Sequence, residues 1–278
     1  MNAEADINLV ELACLWEATV PKPGNVHPGA AFSDTSYDDF VQSAKAIAPV
    51  LAHAEHHTVG EIVLDAVRAT RQTVGKNTNL GIILVLAPLA KSANQIELAS
   101  ILHALTVHDT ELVYEAIRLA QPGGLGKADS QDVHQKPTAT LLEAMQLAAD
   151  RDWIARQYVR CFADVFGLLL PELEMTYQQT ADLTLSIQRA FLVGLATLGD
   201  TLIARKCGEG VMKDAQLKAQ AVLDAGWPDT HAGQQAFDDL DHWLRADGHR
   251  RNPGTMADLM AGAIYLALRK GSIPIRFP

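Results

Sequence analysis

Leu80-Gly81-Ile82-Ile83-Leu84-Val85-Leu86-Ala87-Pro88-Leu89 is the stretch on which the fold class turns. Its Gly81–Val85 start would suit a strand, but the run is apolar nearly all round and reads as a buried central helix. The flanks support that choice. Leu9, Leu12, Ala13 and Trp16 trace one helix face, and Phe40, Ala44, Ile47 and Ala48 trace another, opened by the capping-type residues 34–36. Ile62, Val63, Ala66 and Val67 make a third face. Further helices are expected over 96–105, 111–120, 138–148, 153–170, 183–198 and 255–270, and no stretch alternates with period two for long. The expected fold is all-α: one compact multi-helix domain over residues 1–278, with Leu80–Leu89 and Leu183–Leu198 as its central buried helices.

Composition narrows the function classes. With 48% hydrophobic and 20% charged residues, the chain of 278 is an ordinary globular one. Its 23 Lys and Arg against 33 Asp and Glu leave a net charge of −10, which disfavours nucleic acid or an anionic membrane surface as partner. Cys14, Cys161 and Cys207 stand apart with no CxxC, so neither a disulfide framework nor a cysteine zinc site is expected. The opening residues carry acids and no basic stretch, and the longest apolar run, Leu80–Ala90, is shorter than a membrane span of roughly 20 residues. A cytoplasmic protein is expected, with homo-oligomerisation left open.

Chemistry concentrates in the Gly- and Pro-punctuated loops, where a rigid scaffold usually carries its site. Pro21-Lys22-Pro23-Gly24-Asn25 offers a stiffened backbone and, in Lys22, a cation for phosphate; it also suits a plain helix connection. Thr78 and Asn79 precede the apolar helix, where free N–H groups favour an anion and where either residue could simply cap. Asp109 and Glu111 open another helix, as candidate Mg²⁺ ligands or, for Asp109, a base; acids are equally favoured there by the helix dipole. Gly123, Gly124 and Gly126 form a glycine-rich turn that fails the P-loop pattern but could make an anion nest, with Asp132 a spare carboxylate nearby. Asp200, placed at the end of an apolar helix, needs a partner or a metal, and Arg205 follows it. Arg245, Arg250, Arg251 and Asn252 form a basic cluster before the last helix, which has Asp258 in its first turn. His53 and His57 share a face but lack the HExxH pattern and read as a solvated surface.

In this order, these segments resemble the triphosphoribosyl-dephospho-coenzyme A synthase family over nearly the whole chain. Pro21-Lys22-Pro23-Gly24 is similar to its PKPG segment, Asn77-Thr78-Asn79-Leu80-Gly81 to its NTHKG segment, Asp200-Thr201 with Arg205 and Gly208 to its D/N-T-N-x-x-x-R-G-G segment, and residues 252–259 to its SPGGSADLL stretch. The departures are Gly123–Lys127 in place of an Arg- and Glu-rich segment, Phe32-Ser33 after Gly29-Ala30, and Asn79-Leu80 in place of His-Lys. The resemblance implies an all-helical transferase in coenzyme or prosthetic-group synthesis. It moves a triphosphoribosyl group from ATP, a substrate, to an alcohol such as a ribose hydroxyl of dephospho-CoA, and releases adenine. Such a reaction calls for carboxylates near an oxocarbenium-like centre, and for Mg²⁺ and basic groups at the phosphates. Asp109, Asp132 and Asp200 are then the expected catalytic acids, with Asp109, Glu111 and Asp200 for Mg²⁺. Lys22, Asn25, Thr78, Asn79, Gly123, Gly124, Gly126, Arg205, Arg251 and Asn252 are expected at the nucleotide. Other readings of the same residues are a branch acting on a pterin or furan precursor of a one-carbon carrier, a Mg²⁺-dependent hydrolase of an ADP-ribose-like glycoside, and a helical nucleotide-binding protein without turnover.

Overall fold

The computed structural model describes residues 8–122 and 131–278. Among them are fourteen α-helices and no β-sheet: α1 (Leu9–Thr19), α2 (Tyr37–Leu51), α3 (Val59–Val74), α4 (Leu80–Lys91), α5 (Gln95–His103), α6 (Val107–Ala120), α7 (Leu141–Ala148), α8 (Trp153–Val159), α9 (Leu170–Thr180), α10 (Leu183–Leu198), α11 (Thr201–Cys207), α12 (Glu209–Asp224), α13 (His231–Arg245) and α14 (Gly254–Lys270). The ambiguous apolar stretch is helix. Nine of the 12 residues of α4 and 13 of the 17 of α14 are buried, and the two pack on each other at the centre, flanked by α1 and α10. Gly262 makes that approach feasible, because a Cβ there would lie 2.7 Å from Val85 Cγ1 on α4.

Polar groups inside this core are paired. Pro88 within α4 has no N–H to give to the carbonyl of Leu84, one turn back, and the buried Tyr158 hydroxyl donates to that carbonyl at 2.7 Å instead. Capping boxes start α2 (Ser36 with Asp39), α3 (Thr58 with Glu61), α6 (Thr106 with Asp109) and α7 (Thr140 with Glu143).

The helix expected over 153–170 has different bounds. The 153–170 segment is not continuous: Cys161 and Phe162 take left-handed φ of 50° and 58°, and the chain re-enters helix through a π-turn at Val165–Leu169 that leads into α9. The long apolar helix ends at Leu198, where Gly199 (φ 70°) turns the chain and Asp200 starts α11. No single helix among the described residues is long and apolar enough to cross a membrane.

Candidate active site

The amino ends of α4 and α14 open on one cavity of about 480 Å³. Helix amino ends carry unpaired N–H groups and partial positive charge, so this convergence suits a phosphorylated ligand. Neither helix spends its own N-cap side chain there: Asn79 and Pro253 make no capping hydrogen bond, and the Leu80 N–H is taken by Asn77 Oδ1 at 3.1 Å. Asn25, Thr78, Asn79, Arg205 and Asn252, all singled out in the sequence, line this cavity. The amide of Asn25 donates to Asn252 Oδ1 at 3.1 Å, which joins two loops far apart in sequence.

The cavity wall holds unsatisfied polar atoms. Asn25 Oδ1, Asn79 Nδ2 and His249 Nδ1 are buried without a hydrogen-bond partner, and they are three of only five such atoms among the described residues. An unpaired buried polar group costs about 1–3 kcal/mol, so three clustered on one cavity mark where a ligand supplies the partners.

Asp258 forms the acidic centre of this wall. One turn into α14, its carboxylate makes no hydrogen bond or ion pair among the described residues, and it abuts Gly81 so closely that a Cβ there would lie 1.9 Å from its Oδ2. Burial, reinforced by the neighbouring Glu17, Asp200 and Asp152 carboxylates and opposed by Arg205, raises its carboxyl well above the usual range. Glu17 also lines the cavity and is held by Lys22, whose ammonium lies 3.0 Å from Glu17 Oε1 and donates to the carbonyls of Glu17 and Val20. Lys206 also lines the cavity, its pKa lowered by burial and by Arg205.

A second cavity of about 590 Å³ adjoins the first and shares Leu84, Ile117, Asp152, Ile154 and Arg205 with it. Arg205 approaches Asp152 at 3.5 Å in this common wall. Asp132 lines the second cavity, where its Oδ1 accepts from the His134 N–H at 2.9 Å.

A family model for ATP:dephospho-CoA triphosphoribosyl transferase matches residues 4–276. The chain belongs to that family. Proteins assigned as 2-(5''-triphosphoribosyl)-3'-dephosphocoenzyme-A synthases from Pseudomonas syringae pv. tomato and Pseudomonas fluorescens are 31% and 33% identical to it over 105 residues. Each alignment covers 38% of this chain and 35% of the relative, so the chain spans about a third of the length of these curated relatives. A crystal structure of a protein assigned as a triphosphoribosyl-dephospho-CoA synthase from Archaeoglobus fulgidus superposes with a TM-score of 0.63 at 26% identity, covering 82% of this chain and 98% of that one.

In this member of the transferase family, several residues singled out by sequence lie away from the first cavity. Lys22 is fully buried against Glu17, so its charge serves an acid of the wall rather than reaching a ligand. Asp109 lines neither cavity: its oxygens accept from the Gly60 N–H at 2.9 Å, the Thr106 N–H at 2.9 Å and the Thr106 hydroxyl at 2.7 Å, which tie α6 to α3. Burial would raise its carboxyl, but those bonds lower it overall. Glu111 is on the surface with His108 at 3.3 Å and Lys136 at 3.8 Å. Asp200, fully buried, lies behind the wall, with Oδ1 accepting from the N–H groups of Leu202 (2.8 Å) and Ile203 (3.1 Å) and Oδ2 from Met256 (2.7 Å). Asp109, Glu111 and Asp200 therefore do not gather into the expected Mg²⁺ set, and no three metal-ligating side chains do so among the described residues.

The basic cluster is spent locally as well. Arg245 chelates Asp241 and donates to the carbonyl of Asn25, Arg250 donates to the carbonyl of Lys206 at 2.7 Å, and Arg251 donates to the carbonyl of Trp243 at 3.0 Å while stacking on its ring. Gly123, Gly124 and Gly126 fall outside the described residues. The residues that sequence reasoning left out of the site are Glu17, Asp258, Lys206 and His249. Only the acid at 258 carried a signal, as part of the stretch before the final helix.

Proposed function

We propose that the protein transfers the triphosphoribosyl group of ATP to a ribose hydroxyl of dephospho-CoA, with adenine as leaving group. The observation that carries this reading is the unpaired Asp258 carboxylate beside two helix amino ends in one cavity. The helix ends, Arg205 and Lys206 suit the triphosphate, and Asn25, Asn79 and Asn252 suit the hydroxyls of the sugar. In the transfer, the acceptor oxygen bonds to C1′ of the ATP ribose as the C1′–N9 bond breaks. The hydroxyl proton passes to Asp258, and adenine leaves with the glycosidic electron pair and takes up a proton. A carboxylate whose pKa is raised above the usual range is a better proton acceptor than an ordinary one.

Mg²⁺ enters this reading as part of the MgATP substrate, held chiefly by phosphate oxygens, as is usual for nucleotide-bound Mg²⁺. The test is chromatographic detection of adenine from ATP and Mg²⁺ with and without dephospho-CoA. Adenine and the triphosphoribosylated acceptor should form in equal amounts, and only when the acceptor is present. Adenine formed without acceptor would identify a hydrolase, and nucleotide binding with no adenine would identify a binding protein.

A further inference from the structure

We infer that the second cavity is the berth of the acceptor's flexible arm, so that donor and acceptor occupy separate chambers that meet at Arg205 and Asp152. The inference rests on the transferase reading above, because it assigns that reaction's second substrate a place.

The two chambers differ in chemistry. The first is lined by asparagines, cations and Asp258, whereas the second takes much of its wall from Val113, Leu141, Met145 and Ile154 and reaches the surface at Leu147. Leu147 is 51% exposed, a large apolar side chain at the rim with no core to cover it. A long amide chain ending in a thiol can place its methylenes against these apolar side chains and its amides against Arg151 and Glu209 in the same wall. The chambers are also contiguous. Leu84, Ile117 and Ile154 belong to both walls, and Asp152 is held at the junction as the N-cap of α8, with its Oδ1 accepting from Ile154 at 2.8 Å and Ala155 at 3.2 Å. An acceptor whose arm fills the second chamber thus presents its nucleoside end at the shared wall, next to the sugar that is to be attacked. At about 590 Å³ the second chamber has room for such an arm.

The test compares two acceptors that share a ribose hydroxyl beside a diphosphate: dephospho-CoA, which has the arm, and ADP, which lacks it. Ala144→Trp fills the chamber from α7, and Leu147→Glu places a charge at its rim on a half-exposed position that does not disturb the core. Each variant should raise KM for dephospho-CoA about tenfold or more, leave KM for ATP within about twofold, and erode the preference for dephospho-CoA over ADP by the same factor. If adenine release proceeds but KM for dephospho-CoA is unmoved in both variants, or rises equally for ADP, the arm lies elsewhere and the inference fails while the transferase reading stands. If the unaltered protein releases no adenine with either acceptor, the transferase reading fails and the assignment of the arm falls with it.

Discussion

Asp200 and Asp258 sit near neighbouring helix starts, on α11 and α14, and the charge of Asp200 reaches Asp258, yet they are opposites. Asp200 is wholly buried and gives its two oxygens to three backbone N–H groups, pinning the start of α11 to that of α14. Asp258 faces the cavity and has no hydrogen-bond partner among the described residues. Sequence singles out Asp200, since an acid at the end of an apolar helix needs a partner, and the structure supplies that partner from the backbone. What separates a structural acid from a chemical one is whether the fold has already used its lone pairs.

The contrast is tested most sharply by Asp258→Asn. The substitution keeps the shape, removes an uncompensated charge and removes the proposed proton acceptor. Turnover should fall by roughly 10²–10⁴. The melting temperature should equal or exceed that of the unaltered protein, because burial and the neighbouring Glu17, Asp200 and Asp152 carboxylates oppose the charged form of Asp258. Full turnover on dephospho-CoA would remove Asp258 from the chemistry.

Gly81→Ala probes the same carboxylate from the other side. Alanine is the better helix former by about 0.8–1.0 kcal/mol, so the helix itself should not suffer. Its Cβ, however, would fall 1.9 Å from Asp258 Oδ2 and force that carboxylate to swing away. A displacement of this size should cost roughly 10² in turnover, with a small change in melting temperature. Retained turnover would show that the position of Asp258 is unimportant.

Asp200→Ala should affect stability, with a dependence on pH whose sign is fixed. Burial first, against the hydrogen bonds from Met256, Ile203 and Leu202, raises the Asp200 carboxyl to about 6 from 3.8. The native state therefore holds this proton more tightly than the unfolded chain, and the associated stability is present below about pH 4 and lost as pH rises through about 6. That loss is about 3 kcal/mol for a shift of this size. At pH 4 the variant should be less stable by about 3 kcal/mol, having lost a helix cap and left the Met256 N–H buried and unpaired. Above pH 6 the difference should narrow, since only the unaltered protein bears the cost of ionisation. Urea unfolding of both proteins at pH 4, 5, 6 and 7 measures it; the variant also relieves Asp258 of a neighbouring charge, which narrows the gap further in the same direction as pH rises. A constant gap across that range would contradict the assignment.

Much of the scaffold was legible because its signal is local. The all-round apolarity of α4, the spacing in α10 and the small-residue packing of α14 state their burial directly. The polar helices α12 and α13 were not read, since few of their residues are buried and they carry the long stretch between the apolar helix and the last loop. The reversal at Cys161 and Phe162 was invisible as well, with no glycine or proline in place to announce it. The site was legible in its loops but not in its acids. Asp258 had been placed in the first turn, where the helix dipole explains an acid; the helix begins at Gly254, so Asp258 lies beyond that turn and the explanation lapses. That Lys22 serves Glu17 rather than a phosphate depends on a fold-back of the chain that residue types do not encode.

The smallest expected effect belongs to Arg251, whose residue type and setting both suggested phosphate. Its Nη1 donates to the Trp243 carbonyl at 3.0 Å and its guanidinium lies 4.5 Å from the centre of the Trp243 ring, so it fastens the loop before α14 to α13. It is absent from the walls of both chambers, whereas the next residue, Asn252, lines the first. Arg251→Ala should then cost about 1 kcal/mol of stability, for one exposed-side hydrogen bond and one cation–π contact, while KM for ATP stays within about twofold. A direct charge-assisted bond to the triphosphate would be worth more, about tenfold or above in nucleotide affinity. Calorimetric titration of MgATP into the variant distinguishes the two: unchanged affinity keeps Arg251 as a fastening between helices, and a loss of tenfold or more returns it to the phosphates.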